Sequence, residues 1–284
     1  MTTPADLKIT PRDMDFDILT ALKKNLYWNG NEPVKTHYEN ALQSVFPVGE
    51  RMMIESVRDI RDRYENKLQN KLLEEVKMFI RQEAQHSTHH AKWNDALIEI
   101  GYKELHDELE KSKKLRVLYK KYIPARLRLA VSCAIEHYTT VLIRITWHEY
   151  PEIGATFTSD FRDLLLYHGI EEMEHKGVCF DLYQATGGGY ILRALGMVLV
   201  TLILAHLVRK RHKYFLQRDS LWNKKTKRKA FGHVWGSHGL VIKLIPHVLN
   251  YLRPGFHPWE FDDRVWVRNE YADELKRANI SPFA

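Results

Sequence analysis

Two segments of the chain set a glutamate and a histidine three residues apart within a run of helical apolar periodicity: Glu83 and His86 in FIRQEAQHSTHH, and Glu172 and His175 in YHGIEEMEHKG. On a helix that spacing stacks both side chains on one face, one turn apart. A single pair of this kind carries little weight, because Glu is a common helix residue and His is often a surface or satisfied core residue. Two copies in phase, each inside an apolar-periodic helix, point to a shared polar centre between helices. Two isolated acids can complete it: Glu50 in FPVGERMM and Glu136 in SCAIEHYTT, the latter flanked by Ala130, Val131, Ala134, Ile135 and Val141. An acid in such apolar company is costly unless it is paired or bound to a metal. The competing reading is a bundle whose Glu and His residues are solvated or salt-bridged, with EEMEH as an exposed charged face. It needs both motifs and both acids to coincide by chance.

The rest of the chain reads as all-α, since glycine (14) and proline (10) are scarce in its 284 residues and β-branched alternation is hard to find. Apolar residues from Ala41 to Ile60 recur at three-to-four spacing, interrupted by Pro47 and Gly49. A helix over 36–70 is therefore expected to start near Gly49 or to kink there. A second helix is expected over 71–100, stopping at Gly101, and a third over 124–149, with Pro124 in its first turn and Pro151 beyond its end. A fourth is expected over 159–185, with Ser159 as N-cap and Gly187, Gly188 and Gly189 as its stop. Residues 101–123 carry a charged helical pattern of their own and suit a long crossover. The expected organisation is an N-terminal arm (1–35), a four-helix bundle (36–186) and an apolar, basic, helical C-terminal extension (187–284).

Composition narrows the chemistry. Fifteen histidines stand beside only two cysteines, Cys133 and Cys179, without CxxC spacing, which excludes a thiolate zinc site and favours a reducing compartment. At 44% hydrophobic and 28% charged residues, the chain is neither disordered nor a disulfide-built mini-protein. The opening residues show no basic n-region and no apolar h-region, so no secretory signal is expected. The expected location is cytoplasmic, extending to the inner face of the membrane.

The order Glu50, Glu83 with His86, Glu136, Glu172 with His175 resembles the ferritin-like superfamily of di-iron and di-manganese carboxylate proteins, over residues 36–185. Within it, the wording FPxGE, RQExxH and ExxH, with the apolar extension, is similar to the bacterial family of predicted metal-dependent hydrolases. The resemblance implies a ferritin-like four-helix bundle with Glu50, Glu83, His86, Glu136, Glu172 and His175 as ligands of two metal ions, Glu83 and Glu172 bridging. Charge supports such a centre independently: four carboxylates offset two divalent ions, and the oxygen and nitrogen donors suit iron first, with manganese or zinc as alternatives. Without metal the four acids repel one another and several must take up protons.

Three residues are candidates for additional ligation. His90 at i+4 from His86 and His168 at i−4 from Glu172 share the ligand faces, as ligands or as residues orienting one. Glu171 competes with Glu172 for pairing with His175, and Glu172 is preferred because it repeats the i,i+3 spacing. His89 and His137 point about 100° away and are expected at the surface or between helices. Cys133 and Cys179 are expected as small buried residues.

A carboxylate-bridged di-iron centre most naturally activates dioxygen, so the leading expectation is oxidation or oxygenation of a hydrophobic, lipid-like substrate. Tyr138 and Tyr167, next to motif residues, are candidate proton or electron donors, and an electron-donor partner is implied. The first alternative is metal-dependent hydrolysis by water of lowered pKa. The second is a non-catalytic metal-binding or storage bundle.

After residue 189 the composition changes. ALGMVLVTLILA (194–205) carries no charge and is followed by RKRHK (209–213), then KKTKRK (224–229) and a second apolar stretch, GLVIKLIPHVLNYL (239–252). The first run is shorter than the roughly 20 residues of a membrane span, so a buried or interfacial helix is expected. The basic clusters suit an anionic membrane surface, and packing on the bundle or on a second subunit in a homodimer is the alternative. No nucleic-acid motif accompanies them, and no nucleic-acid partner is expected. The tail with Trp235, Trp259 and Trp266 is expected to be irregular and anchored by its aromatics.

Overall fold

The computed structural model describes residues 3–281 and 283. It is all-α: among the described residues the only extended pairing is one isolated bridge, Asn29 with Phe157. The helices are α1 (Ile18–Lys24), α2 (Pro33–Gln43), α3 (Phe46–Tyr64), α4 (Asn70–Glu99), α5 (Leu105–Tyr122), α6 (Ala125–Arg144), α7 (Pro151–Gly154), α8 (Ser159–His175) and α9 (Val178–Ala185). The C-terminal part follows as α10 (Tyr190–Arg218), α11 (Lys224–Trp235), α12 (Leu240–Tyr251), α13 (Arg264–Glu270) and α14 (Ala272–Arg277).

Four helical rods surround the site. α3 packs on α4 and α6, and both of these pack on the broken rod formed by α8 and α9. Two expected helices are interrupted. The first breaks before Pro47 and not at Gly49, because proline cannot donate an interior hydrogen bond but is accommodated in the first turn of α3. The fourth breaks at Lys176 and Gly177, where a Cβ on Gly177 would lie 2.7 Å from the Trp259 Nε1. The N-cap position of α8 is Thr158, one residue before the expected Ser159, and makes no side-chain cap bond. The expected end points hold at Gly101 (φ +125°) and Gly187 (φ +78°), where positive φ suits glycine. Residues 101–123 form the crossover helix α5, packed on α3 and α4.

Two apolar clusters sandwich a polar layer. One holds Trp28, Trp93, Phe161 and Leu165; the other holds Met53, Phe79, Leu129, Leu182 and Tyr183. Along α4, Phe79 belongs to one cluster and Trp93 to the other, and Glu83, His86 and His90 lie between them.

The C-terminal extension is more ordered and more exposed than its sequence suggests. α10 is a continuous helix of 29 residues lying along α6 and α2. By length and composition it could cross a membrane, with mean hydropathy 2.3 in a window only 28% buried. Arg193 is buried near its start and donates to the backbone carbonyls of Tyr251 and Arg253, and Arg211 near its end donates to Ser44 and Ser112. Contrary to the expected irregular tail, α11 to α14 are helical. Trp259 and Trp266 are buried anchors, whereas Trp235 is exposed.

Candidate metal centre

The six residues singled out by motif order meet in the polar layer, all of them buried. Glu50 comes from the first turns of α3, Glu83 and His86 from the middle of α4, Glu136 from α6, and Glu172 and His175 from the end of α8. Ligand-competent atoms of Glu83, His86, Glu172 and His175 lie within 4.8 Å of one another, and so do those of Glu50, His90 and His168. His175 Nε2 is 3.1 Å from Glu83, 3.6 Å from Glu136 and 3.6 Å from Glu172. His90 Nε2 is 3.2 Å from Glu50.

Glu172 joins the two groups. Its Oε1 lies 3.2 Å from His86 Nδ1 and 3.3 Å from His168 Nε2, while its Oε2 faces His175. Glu83, the other expected bridge, sits in the first group beside His175. His90 and His168 are therefore placed with Glu50 as a second set of donors, their rings 4.9 Å apart.

The chemistry of the donor set fits a cation. Most of these atoms are close but poorly aligned for hydrogen bonds: both oxygens of Glu83 and Glu136, one each of Glu50 and Glu172, His86 Nδ1, His175 Nε2 and both ring nitrogens of His90 are buried without a hydrogen-bond partner. Buried polar atoms are normally satisfied, so such a concentration of free lone pairs in one place asks for a metal. Without an ion the same groups must share protons instead. Burial drives the carboxyls of Glu50 and Glu136 well above the usual range and that of Glu83 to about 7. It lowers His90 to about 3, whereas His86, although buried, is pushed up to about 10 by Glu171 and Glu172.

A surrounding layer, mostly missed by motif reading, aims the imidazoles. His86 Nε2–H donates to Glu171 at 2.9 Å, which turns Nδ1 toward Glu172. His175 Nδ1–H donates to Gln82 Oε1 at 2.9 Å, which leaves Nε2 toward the acids. Gln82 in turn donates to Glu174, which accepts from both Arg12 terminal nitrogens, and the Arg12 backbone N–H donates to Glu171 at 2.7 Å. Glu171 is thus occupied by His86 and Arg12. Gln82 was visible as the Q of RQExxH, and Glu174 as the last acid of EEMEH. Nothing in the spacing singled out Arg12, because it comes from the N-terminal arm.

The remaining candidates lie farther out. Tyr167 packs edge-on to His86, and its hydroxyl donates to the Arg12 carbonyl at 3.4 Å. Tyr138 turns its hydroxyl to Thr201 on α10. His89 anchors the carbonyl of Met14, and His137 that of His247. Cys133 and Cys179 are buried and unpaired, their thiols held well above the usual range by burial.

A cavity of about 240 Å³ reaches this centre, lined by His168, Phe46, Leu42, Leu142 and Leu165. Phe46 also packs on the ring of His90. The rest of the lining is mixed, with Glu39, Gln43 and Thr139 among its polar residues, so the approach to the second donor set is over both apolar and polar side chains.

A family model described as predicted metal-dependent hydrolase matches residues 10–262 of the chain. No protein of curated function and no solved structure gives a significant match.

Proposed function

The chain belongs to the family of predicted metal-dependent hydrolases, and from that premise we propose that it is a two-metal enzyme hydrolysing a hydrophobic ester, amide or phosphoester. The observation that carries the reading is Glu172, one carboxylate in contact with histidines of both donor groups. In this reading Glu83, His86, Glu172 and His175, with Glu136 beside His175, would hold one ion, and Glu50, His90 and His168 would hold the other. Such a pair supplies Lewis acidity toward a substrate oxygen and lowers the pKa of water. The chain's own part is positional. Glu171 and Gln82 fix the tautomers of His86 and His175, and Phe46, Leu42 and Leu142 exclude water and seat an apolar group next to His168.

A second reading is oxidation of the same apolar substrate by a di-iron pair. It rests on the thiolate-free donor set of carboxylates and imidazoles in a buried apolar setting; the family description lends it no support. Metal-free protein reloaded with zinc or manganese under anaerobic conditions separates the two. The expected result is turnover of chromogenic acyl esters without dioxygen. Turnover that requires iron and consumes dioxygen in step with product would replace hydrolysis with oxidation.

A further inference from the structure

A second, larger cavity of about 650 Å³ lies between α10, α11 and α12. It shares Tyr38, Leu42 and Leu142 with the cavity that reaches His168, so the two are neighbours across one wall. Its lining is apolar, with three cations, Arg209, Lys213 and Lys227, and no acid. All three are exposed, and no carboxylate partner is found for them among the described residues. Lys227 lies over the ring of Trp222, 5.3 Å from its centre, which leaves the cation at the cavity rim.

The protein surface around this cavity is strongly apolar. Leu202 and Ile203 on α10, Phe231 and Trp235 on α11, and Ile245 and Leu249 on α12 are 45% to 66% exposed. Ile191, Leu195 and Val198 continue the exposed stripe of α10 at helical spacing. Contiguous apolar surface of this kind marks an interaction site. Its cationic rim decides the occupant: apolar helices edged by lysine and arginine match the acyl region and anionic headgroups of a bilayer.

We propose that the face formed by α10, α11 and α12 docks on an anionic lipid bilayer, and that the cavity between them takes the apolar tail of an anionic lipid from it. Arg209, Lys213 and Lys227 hold the headgroup at the rim, and the tail lies along Leu204, Leu244 and Val248 toward Leu42 and Leu142. α10 lies in the interface and does not span: Arg193 and Arg211 are committed to protein carbonyls and hydroxyls, and its inner side is packed on α6 and α2. For the hydrolytic reading this supplies the source of the substrate. The inference rests on that reading only in this respect, and its test involves no turnover.

The test is flotation of the metal-loaded protein with phosphatidylcholine vesicles, with and without phosphatidylglycerol. The expected result is partition onto the phosphatidylglycerol vesicles, weakened by salt, with a blue shift of the emission of the exposed Trp235. The triple variant Arg209→Glu, Lys213→Glu, Lys227→Glu and the single variant Leu249→Asp should each lower partition at least tenfold. All four positions are exposed, so circular dichroism and metal content should stay at wild-type values. Absence of binding, or equal binding to both vesicles with no effect of the triple variant, would overturn the proposal. So would a lipid-free dimer in sedimentation that Leu249→Asp dissociates, because the face would then belong to a second copy.

Discussion

Two imidazoles at the centre, His86 and His175, are aimed by a neighbour, and that sets a graded response to substitution. Glu136→Ala and His175→Ala remove donors and are expected to abolish stoichiometric metal at one position, measured by elemental analysis of purified protein. Glu171→Ala and Gln82→Ala leave the donors in place but remove the acceptors that fix the tautomers, so metal affinity should fall by about 10- to 100-fold. If these variants bind metal like the wild type, the hydrogen bonds at His86 and His175 do not orient ligands. The positions of the clustered acids and imidazoles were legible in the sequence because helical spacing is a local rule; the hydrogen bonds behind them were not, because Arg12 meets Glu174 across 162 positions of chain.

A different histidine sets part of the acid response. His212 is buried, donates to the Val34 carbonyl, and is lowered to about 4 chiefly by burial. The unfolded chain takes up this proton below about 6.5, while the folded protein resists it until about 4. Stability from this group is therefore complete above about 6.5 and is lost as pH falls toward 4, at about 1.4 kcal/mol per pH unit. His212→Gln, which keeps a donor, should flatten the dependence of urea unfolding on pH in this window. An unchanged slope would show that His212 does not carry it.

At the scale of elements, α10 and α6 approach each other closely at Gly196. A Cβ on Gly196 would lie 2.6 Å from the Ala130 carbonyl oxygen, a backbone atom that cannot turn aside. Gly196→Leu should therefore force α10 off α6 and cost about 1–3 kcal/mol, read as a lower urea midpoint. Wild-type stability in this variant would mean that the two helices are not held so closely. Apolar periodicity located the helices, and the expected break near Gly49 falls earlier, at Ser44 and Val45, because Pro47 is taken into the first turn of α3. The break at Gly177 was not legible, since it lies against Trp259, a contact from distant sequence that no window contains. α10 is longer than the uncharged run 194–205 shows, because the buried Arg193 is satisfied by backbone carbonyls and interrupts nothing.

For the whole molecule, the centre ties fold to metal. Four rods meet at a layer of acids and imidazoles whose lone pairs have few protein partners, so the metal-free protein holds repelling or protonated groups between two apolar clusters. A ligand that binds only the folded chain stabilises it by about 4 kcal/mol at a thousandfold excess over its dissociation constant. Chelation should therefore lower the melting temperature by several degrees, and reloading should restore it with release of protons to the buffer, measurable by calorimetry. A melting temperature indifferent to chelators would disconnect the cluster from metal. All-α class and the six central residues could be read from the chain; the apolar face with its cationic rim could not, since it is assembled from three helices that sequence showed only as separate runs.

Arg12 also donates through Nε to the carbonyl of Ser281, 269 positions away. The same side chain grips Glu174, which holds the amide that aims His175. The orientation of His175 is therefore not the property of one helix: it is complete only when two segments 269 positions apart have met on the same guanidinium. A cut anywhere between the N-terminal arm and residue 281 that lets either segment drift should loosen an imidazole that neither of them touches.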